Sequence, residues 1–180
     1  MIKYDCVFLD RDGTLNPDRG YINNLKEYEF YDFTIPALRL MSKKNNQFCI
    51  VTNQSGVGRG LITINNLKAI NSFIKKEFRK NSISLIDIYM CFDHPDNASN
   101  YRKPGTGMFL KAKRDYNLKL SKCLMVGDSS KDMEVGYNLG METLLVLTGN
   151  GEKTLKRLDG SELITYQAKN IYEGFQQICR

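Results

Sequence analysis

Short apolar runs alternate with helical patterns along this chain, and that alternation limits the folds open to it. The runs cover residues 7–9, 48–51, 86–91, 123–126 and 143–147. Continuous short apolar runs of this kind fit strands buried on both faces. Between the second and third runs, Leu67, Ile70, Ile74 and Phe78 fall on one helical face, with Thr63 as the predicted N-cap. Thr34 is the predicted cap of an earlier helix, with Pro36 in its first turn and Ala37, Leu38 and Met41 inward. A third helix is expected from near Pro104, and a fourth from about 131 to 139, stopped by Gly140. Residues 162–166 and 171–178 read as an edge strand and a last helix. The pattern predicts an α/β fold, a Rossmann-like three-layer sandwich with a mostly parallel central sheet.

The 180 residues suit one domain, 1–180, and no linker, repeat or low-complexity segment divides them. No apolar run approaches the roughly 20 residues of a membrane span, and the first residues carry no signal-peptide pattern. Five cysteines make an odd number for a disulfide framework. Cys6, Cys49 and Cys123 lie in or beside apolar runs, where a free thiol behaves as a small core hydrophobe. A monomer in the reducing cytoplasm is the expectation. The net charge of +6 fits an anionic small molecule or a nucleic acid and does not choose between them.

Asp10-Arg11-Asp12-Gly13-Thr14-Leu15 follows the first apolar run directly. In a parallel sheet this is the strand's C-terminal tip, where open α/β sheets bind ligands. Two acids two residues apart repel each other, and burial worsens the repulsion unless a cation or a shared proton relieves it. A polar turn after a strand is the plainer explanation of this motif alone. Three more polar clusters follow: Thr52-Asn53-Gln54-Ser55-Gly56 after the second run, Gly127-Asp128-Ser129-Ser130-Lys131-Asp132 after the fourth, and Arg102-Lys103-Pro104 before the third helix. Taken singly, Thr52 also fits a strand end, Lys103 a solvated charge, and Asp128 and Asp132 the cap and first-turn acids of a helix. Together, in this order, they describe one polar site.

The chemistry that needs such a set is phosphoryl transfer. A carboxylate can attack phosphorus and form an acyl phosphate. A phosphate dianion repels that carboxylate, so a divalent cation is required between them, and Asp10 and Asp128 are its natural oxygen ligands. Thr52, Asn53 and Lys103 can donate to the transferring oxygens. Asp12, two residues past the nucleophile, can protonate the leaving oxygen and then activate water. Lys103 just before a helix would add that helix's dipole to the phosphate site. The loop 16–33 has no clear period. Its aromatic half (Tyr28, Phe30, Phe33) is expected to pack on the core, and its polar half, Asp18 to Tyr21, to face substrate.

These residues resemble the haloacid dehalogenase-like phosphohydrolase superfamily over nearly the whole chain. The first motif is Asp10-Arg-Asp-Gly-Thr, the second Thr52, the third Lys103, and the fourth Gly127-Asp128 with Asp132. The resemblance implies that Asp10 is the nucleophile and Asp12 the general acid/base. It also implies that Asp10, the main-chain carbonyl of Asp12, and Asp128 hold Mg²⁺. No insertion large enough for a cap domain appears after the first motif or between the second and third, so little or no cap is expected. Within the superfamily the chain is most similar to the D,D-heptose 1,7-bisphosphate phosphatases and histidinol phosphatases. Leu9-Asp-Arg-Asp-Gly-Thr, Thr52-Asn53-Gln54-Ser55-Gly56, Arg59-Gly60, Arg102-Lys103-Pro104 and Asp18-Arg19-Gly20-Tyr21 carry that similarity. It implies a phosphorylated sugar of lipopolysaccharide or surface-sugar synthesis as substrate. Asp18, Arg19, Gly20, Tyr21, Asn53, Gln54, Ser55, Arg59 and Arg102 would form its binding residues.

Two departures stand out. That branch usually carries a zinc loop built from a Cys-X-His and a Cys-X-Cys pair. Here Cys91-Phe92-Asp93-His94 stands at the first pair and Asn100-Tyr101 at the second, so no zinc is expected. Ser129 stands where the heptose enzymes typically have a lysine, which removes one positive contact. Residues 52–60 and 102–108 are also similar to the phosphatase domain of polynucleotide kinase/phosphatases, which act on DNA 3′-phosphates. No kinase P-loop and no basic cluster interleaved with aromatics accompanies them, so no nucleic-acid partner is expected. A catalytically silent binding protein on this fold is the non-enzyme alternative. It has no need of four costly neighbours such as Asp10, Asp12, Lys103 and Asp128.

Overall fold

The structure, a computed structural model, describes residues 3–180. Six strands form one sheet: β1 (Cys6–Leu9), β2 (Phe48–Asn53), β3 (Leu85–Cys91), β4 (Cys123–Gly127), β5 (Glu142–Val146) and β6 (Tyr166–Ala168). Their order is β3-β2-β1-β4-β5-β6, and every neighbouring pair is parallel. The chain therefore builds outward from β1 to β3, then returns to the other side of β1 for β4 to β6. The crevice beyond the carboxyl ends of β1 and β4 is the point where the winding reverses, the ligand-binding position of open α/β sheets.

The apolar runs are buried on both faces because successive side chains point to opposite sides of the sheet. Val7 and Leu9 join one core with Leu38 and Met41 of α1 (Thr34–Ser42), Ile70 and Ile74 of α3 (Ile64–Lys80), and Ile171 and Phe175 of α7 (Ile171–Ile178). Cys6 and Phe8 join the other with Met108, Phe109 and Ala112 of α4 (Gly107–Tyr116) and Val135 of α5 (Ser130–Asn138). Phe8 meets Phe109 edge to face at 5.1 Å between ring centroids. Burying one such ring contributes about 1.5–3 kcal/mol, so β1 is anchored from both layers. The three-layer sandwich and the parallel sheet are as predicted. All five cysteines are free thiols, and Cys6, Cys49 and Cys123 are buried. Among the described residues no helix is long and apolar enough to cross a membrane.

Thr63 accepts the Asn66 N–H and caps α3 as expected. Thr34 does not cap α1: it is the first helical residue, Phe33 precedes it, and its hydroxyl donates instead to Leu15 O at 2.7 Å. That bond ties the helix to the turn behind the two acids. The third helix starts at Gly107, not beside Lys103. Residues 102–106 make a tight turn with a cis Lys103–Pro104 peptide, closed by Gly105 N–H to Arg102 O at 2.6 Å. Lys103 therefore does not sit at the helix N-terminus, and the expected dipole contribution has no support in this geometry. The edge strand begins at Tyr166, where it was expected to end. The short helices α2 (Ser55–Gly58) and α6 (Gly151–Arg157) carry no apolar stripe, so periodicity alone misses them. The loop 16–33 holds only a 3-10 turn at Leu25–Glu27, and its aromatic half packs as expected, with Phe30 stacked on Phe73 of α3 at 6.0 Å.

Candidate active site

Asp10 N–H donates to Val126 O at 2.9 Å, one ladder bond beyond β1. This fixes Asp10 on the seam between β1 and β4. The chain then turns back, with Leu15 N–H on Arg11 O at 2.8 Å and Gly13 N–H on Asn16 O at 2.7 Å. Gly13 has φ +85°, and a Cβ there would sit 2.3 Å from Asp128 Oδ2. Only glycine allows the turn to lie against that acid. From the tip of β4 come Asp128 and, one helical turn later, Asp132.

Lys103 joins the acids. Its ammonium donates to Asp10 Oδ1 at 2.8 Å, Asp132 Oδ1 at 2.6 Å and Val51 O at 2.8 Å, which engages all three hydrogens. Asn53 sets its place by a reciprocal pair with the Lys103 main chain, N–H to Oδ1 at 3.1 Å and Nδ2 to carbonyl at 3.2 Å. Asp132 Oδ2 accepts from Ser129 N–H and hydroxyl. Asp128 Oδ2 accepts the Asn150 N–H at 2.7 Å. Asp10 Oδ2 and Asp128 Oδ1 accept no hydrogen bond among the described residues.

Oxygens of Asp10, Asp128 and Asp132 lie within 4.8 Å of one another, the one such cluster of possible metal ligands among the described residues. When all are ionised, three carboxylates against one ammonium leave two negative charges in a buried space. Burial pushes Asp10 up to about 7; Lys103 opposes the rise and Asp132 adds to it. Burial, then Asp10 and Asp132, push Asp128 up to about 8. Burial works against the Lys103 charge, but Asp10 and Asp132 hold its proton above the ordinary lysine range. An all-oxygen set with a twofold negative excess suits a hard divalent cation such as Mg²⁺. The Asp12 carboxylate stands outside this cluster.

Asp12 is held from three sides. Arg11, only 1% exposed, forks onto it with contacts of 2.8–3.1 Å. Asn16 donates to Oδ1 at 2.9 Å and Gln54 to Oδ2 at 2.7 Å. The Arg11 guanidinium lies 5.7 Å from the Tyr28 ring centroid. Gln54 also donates to the Thr52 hydroxyl at 2.9 Å. Its amide nitrogen is thus engaged by the protein, and it joins the second motif to the acid rather than presenting that nitrogen to substrate.

The pocket above these groups is lined by Asp18, Gly20 and Tyr21 on one side and Ser55, Arg102 and Lys131 on others. Arg19 and Arg59 are not brought to it. Gly20, with φ +80°, donates to Asp18 Oδ1, and this turn leaves Arg19 facing outward in an ion pair with Glu29. Arg59 ends α2, exposed, with its N–H on Ser55 O. The sequence reading missed Arg11, Asn16, Asn150 and Thr154. Thr154 donates to Asp128 O at 2.8 Å, and Gly149 packs so closely that a Cβ would meet Asp128 Oδ2 at 2.2 Å. The signal was present: Thr148-Gly149-Asn150-Gly151 is a polar, glycine-rich turn after the fifth apolar run, hence on the same sheet edge. Cys91 ends β3, buried, and His94 caps a 3-10 turn at Pro95–Asn97 by accepting the Asp96 N–H.

Comparison with known proteins gives one consistent result. A family model described as HAD-hyrolase-like matches residues 100–173. The D-glycero-alpha-D-manno-heptose-1,7-bisphosphate 7-phosphatase of Campylobacter jejuni is 35% identical over 152 residues, 84% of this chain and 86% of that protein. The D-glycero-beta-D-manno-heptose-1,7-bisphosphate 7-phosphatase of Yersinia pestis is 34% identical over 153 residues, 80% of this chain and 81% of that one. A crystal structure of a D,D-heptose bisphosphate phosphatase from B. bronchiseptica, complexed with magnesium and phosphate, superposes with a TM-score of 0.89. It is 29% identical and covers 97% of both chains.

Proposed function

The chain belongs to the haloacid dehalogenase-like phosphatases, alongside the heptose-1,7-bisphosphate 7-phosphatases, and from that premise we propose that it removes the 7-phosphate of a D-glycero-D-manno-heptose 1,7-bisphosphate. The observation that carries the chemistry is Asp10. It stands at the reversal point of the sheet with one oxygen held by Lys103 and the other without a hydrogen bond.

Asp10 Oδ2 attacks phosphorus, and the bond from phosphorus to the sugar oxygen breaks as the new one forms. Asp12 gives its proton to that leaving oxygen, then takes one from the water that cleaves the aspartyl phosphate and restores Asp10. Lys103 keeps a positive charge beside the oxygens on which charge develops. The Thr52 hydroxyl accepts from Gln54 and so keeps its own hydrogen for a phosphate oxygen. Asp10, Asp128 and the Asp12 carbonyl would hold Mg²⁺, which when bound neutralises charge between nucleophile and phosphate. Arg102 and Lys131, which has no ion pair among the described residues, stand at the pocket mouth where a second phosphate needs cations. Asp18, Tyr21 and Ser55 face the sugar. We place the enzyme in the cytoplasm as a monomer, in the supply of surface sugars.

Phosphate release in Mg²⁺ tests this reading on both anomers of the heptose bisphosphate, histidinol phosphate and a 3′-phosphorylated oligonucleotide. The heptose bisphosphate should exceed the other two in kcat/KM by about 100-fold, or about 2.7 kcal/mol. Faster turnover of either competitor overturns the substrate assignment. Elemental analysis should find no stoichiometric zinc, since Cys91 and His94 supply at most two of the four ligands a structural site needs.

A further inference from the structure

We propose that Asp93 and Ser99 form a clasp that positions Arg102 for the far end of the substrate, an inference that rests on the bisphosphate reading above. The segment between β3 and α4, residues 92–106, is polar and mostly exposed. Hydrogen bonds between its own residues tie it together. Asp93 Oδ2 accepts from the Ser99 N–H at 2.8 Å and from the Ser99 hydroxyl at 2.5 Å, closing a ring of seven residues. Those two bonds hold the Asp93 carboxyl below the usual carboxylate range, the mark of donors that favour its charged form. Ser99 Oγ also accepts the Tyr101 N–H at 3.2 Å.

The clasp reaches Arg102 twice. Arg102 N–H donates to Ser99 O at 3.1 Å, and Arg102 Nη1 donates to Asp93 O at 3.1 Å. Both ends of the clasp thus hold the arginine, one by its main chain and one by its guanidinium. The remaining guanidinium donors stand free to meet an anion in the pocket that Arg102 lines. On the far side Asn100 fixes the turn to the helix, with its carbonyl on Gly107 N–H at 2.8 Å and its Oδ1 on Thr106 N–H at 3.1 Å. The base of the loop rests on α2, where a Cβ at Gly58 would stand 2.3 Å from Phe92 O. Lys103, by contrast, is placed by Asn53 and by the acids, so the clasp can loosen without moving the chemistry. Asp93 and Ser99 are positioning residues: neither lines the pocket.

The test is steady-state kinetics of Ser99→Ala, Asp93→Ala, Arg102→Ala and the double variant Ser99→Ala/Arg102→Ala. Substrates are the heptose 1,7-bisphosphate and p-nitrophenyl phosphate. Ser99→Ala should raise KM for the bisphosphate about tenfold, leave kcat within about twofold, and leave both constants for the small ester unchanged. Ser99→Thr should restore KM, since it returns the hydroxyl. In the Arg102→Ala background, Ser99→Ala should add nothing, because a positioning residue has no effect once its target is gone. Equal KM increases on both substrates, or additive losses in the double variant, overturn the clasp while Arg102→Ala still marks the bisphosphate contact. If Arg102→Ala itself does not distinguish the two substrates, the bisphosphate reading falls, and the clasp's purpose with it.

Discussion

The acid cluster on the β1–β4 seam and the loop at 92–106 border one pocket, yet they are held together in opposite ways. In the cluster the central cation finds its acids far along the chain: Lys103 reaches back 93 residues to Asp10 and forward 29 to Asp132, and all three groups are buried or nearly so. In the loop the partners are neighbours, Asp93 with Ser99 and Asn100 with Thr106, each six residues apart and exposed. The first arrangement places charges where the dielectric is low and their effect on a reaction is large. The second is local and solvent-accessible, so it can change without endangering the fold. The acids are fixed by buried long-range contacts, and the rim by exposed local ones.

The comparison breaks most sharply at Asp10. Asp10→Asn should lower kcat by about 10⁴-fold or more while circular dichroism shows the fold intact; residual activity within tenfold of wild type removes the nucleophile assignment. Lys103→Met comes next. It should reduce kcat about 10²–10³-fold and also destabilise the protein by about 3–5 kcal/mol, because it leaves buried carboxylates without their cation. Denaturant unfolding alongside kinetics checks both halves, and loss of activity with unchanged stability would mean the ammonium does not neutralise the cluster.

Proton and metal linkage give a third measure. In the metal-free protein Asp10 and Asp128 bind protons up to about 7 and 8, against about 4 for an unfolded aspartate. The folded state therefore holds more protons between about pH 4 and 8, and these two groups make its stability fall as pH rises through that window. Mg²⁺ binds the ionised acids, so its stabilisation should grow across the same range. At a hundredfold excess over Kd near pH 8 it should be worth about 2.7 kcal/mol, roughly 5–10 °C in Tm for a chain of this size. A Tm shift as large at pH 5 as at pH 8 contradicts this. The smallest effect belongs to the rim: Arg102→Ala should raise KM for the bisphosphate about tenfold with kcat nearly unchanged, the signature of a contact made equally in ground and transition states.

The sequence by itself determined the sheet and which polar groups gather at one edge of it. Short continuous apolar runs fit strands buried on both faces, and acids at the ends of such runs meet on one edge of a parallel sheet; that logic put Asp10, Thr52 and Asp128 on the same edge. What the tertiary structure decided are the contacts whose geometry no local pattern encodes. Arg11 reads as one more charge until the fold buries it against Tyr28 and Asp12. Asn150 and Thr154 reach Asp128 only because β5 lies beside β4. Arg19 and Arg59 matched a motif, but a glycine turn and a helix end leave both facing outward. Periodicity reports which face of an element is apolar. Which polar atom meets which depends on turns, strand order and side-chain reach, and those are settled only when the layers pack.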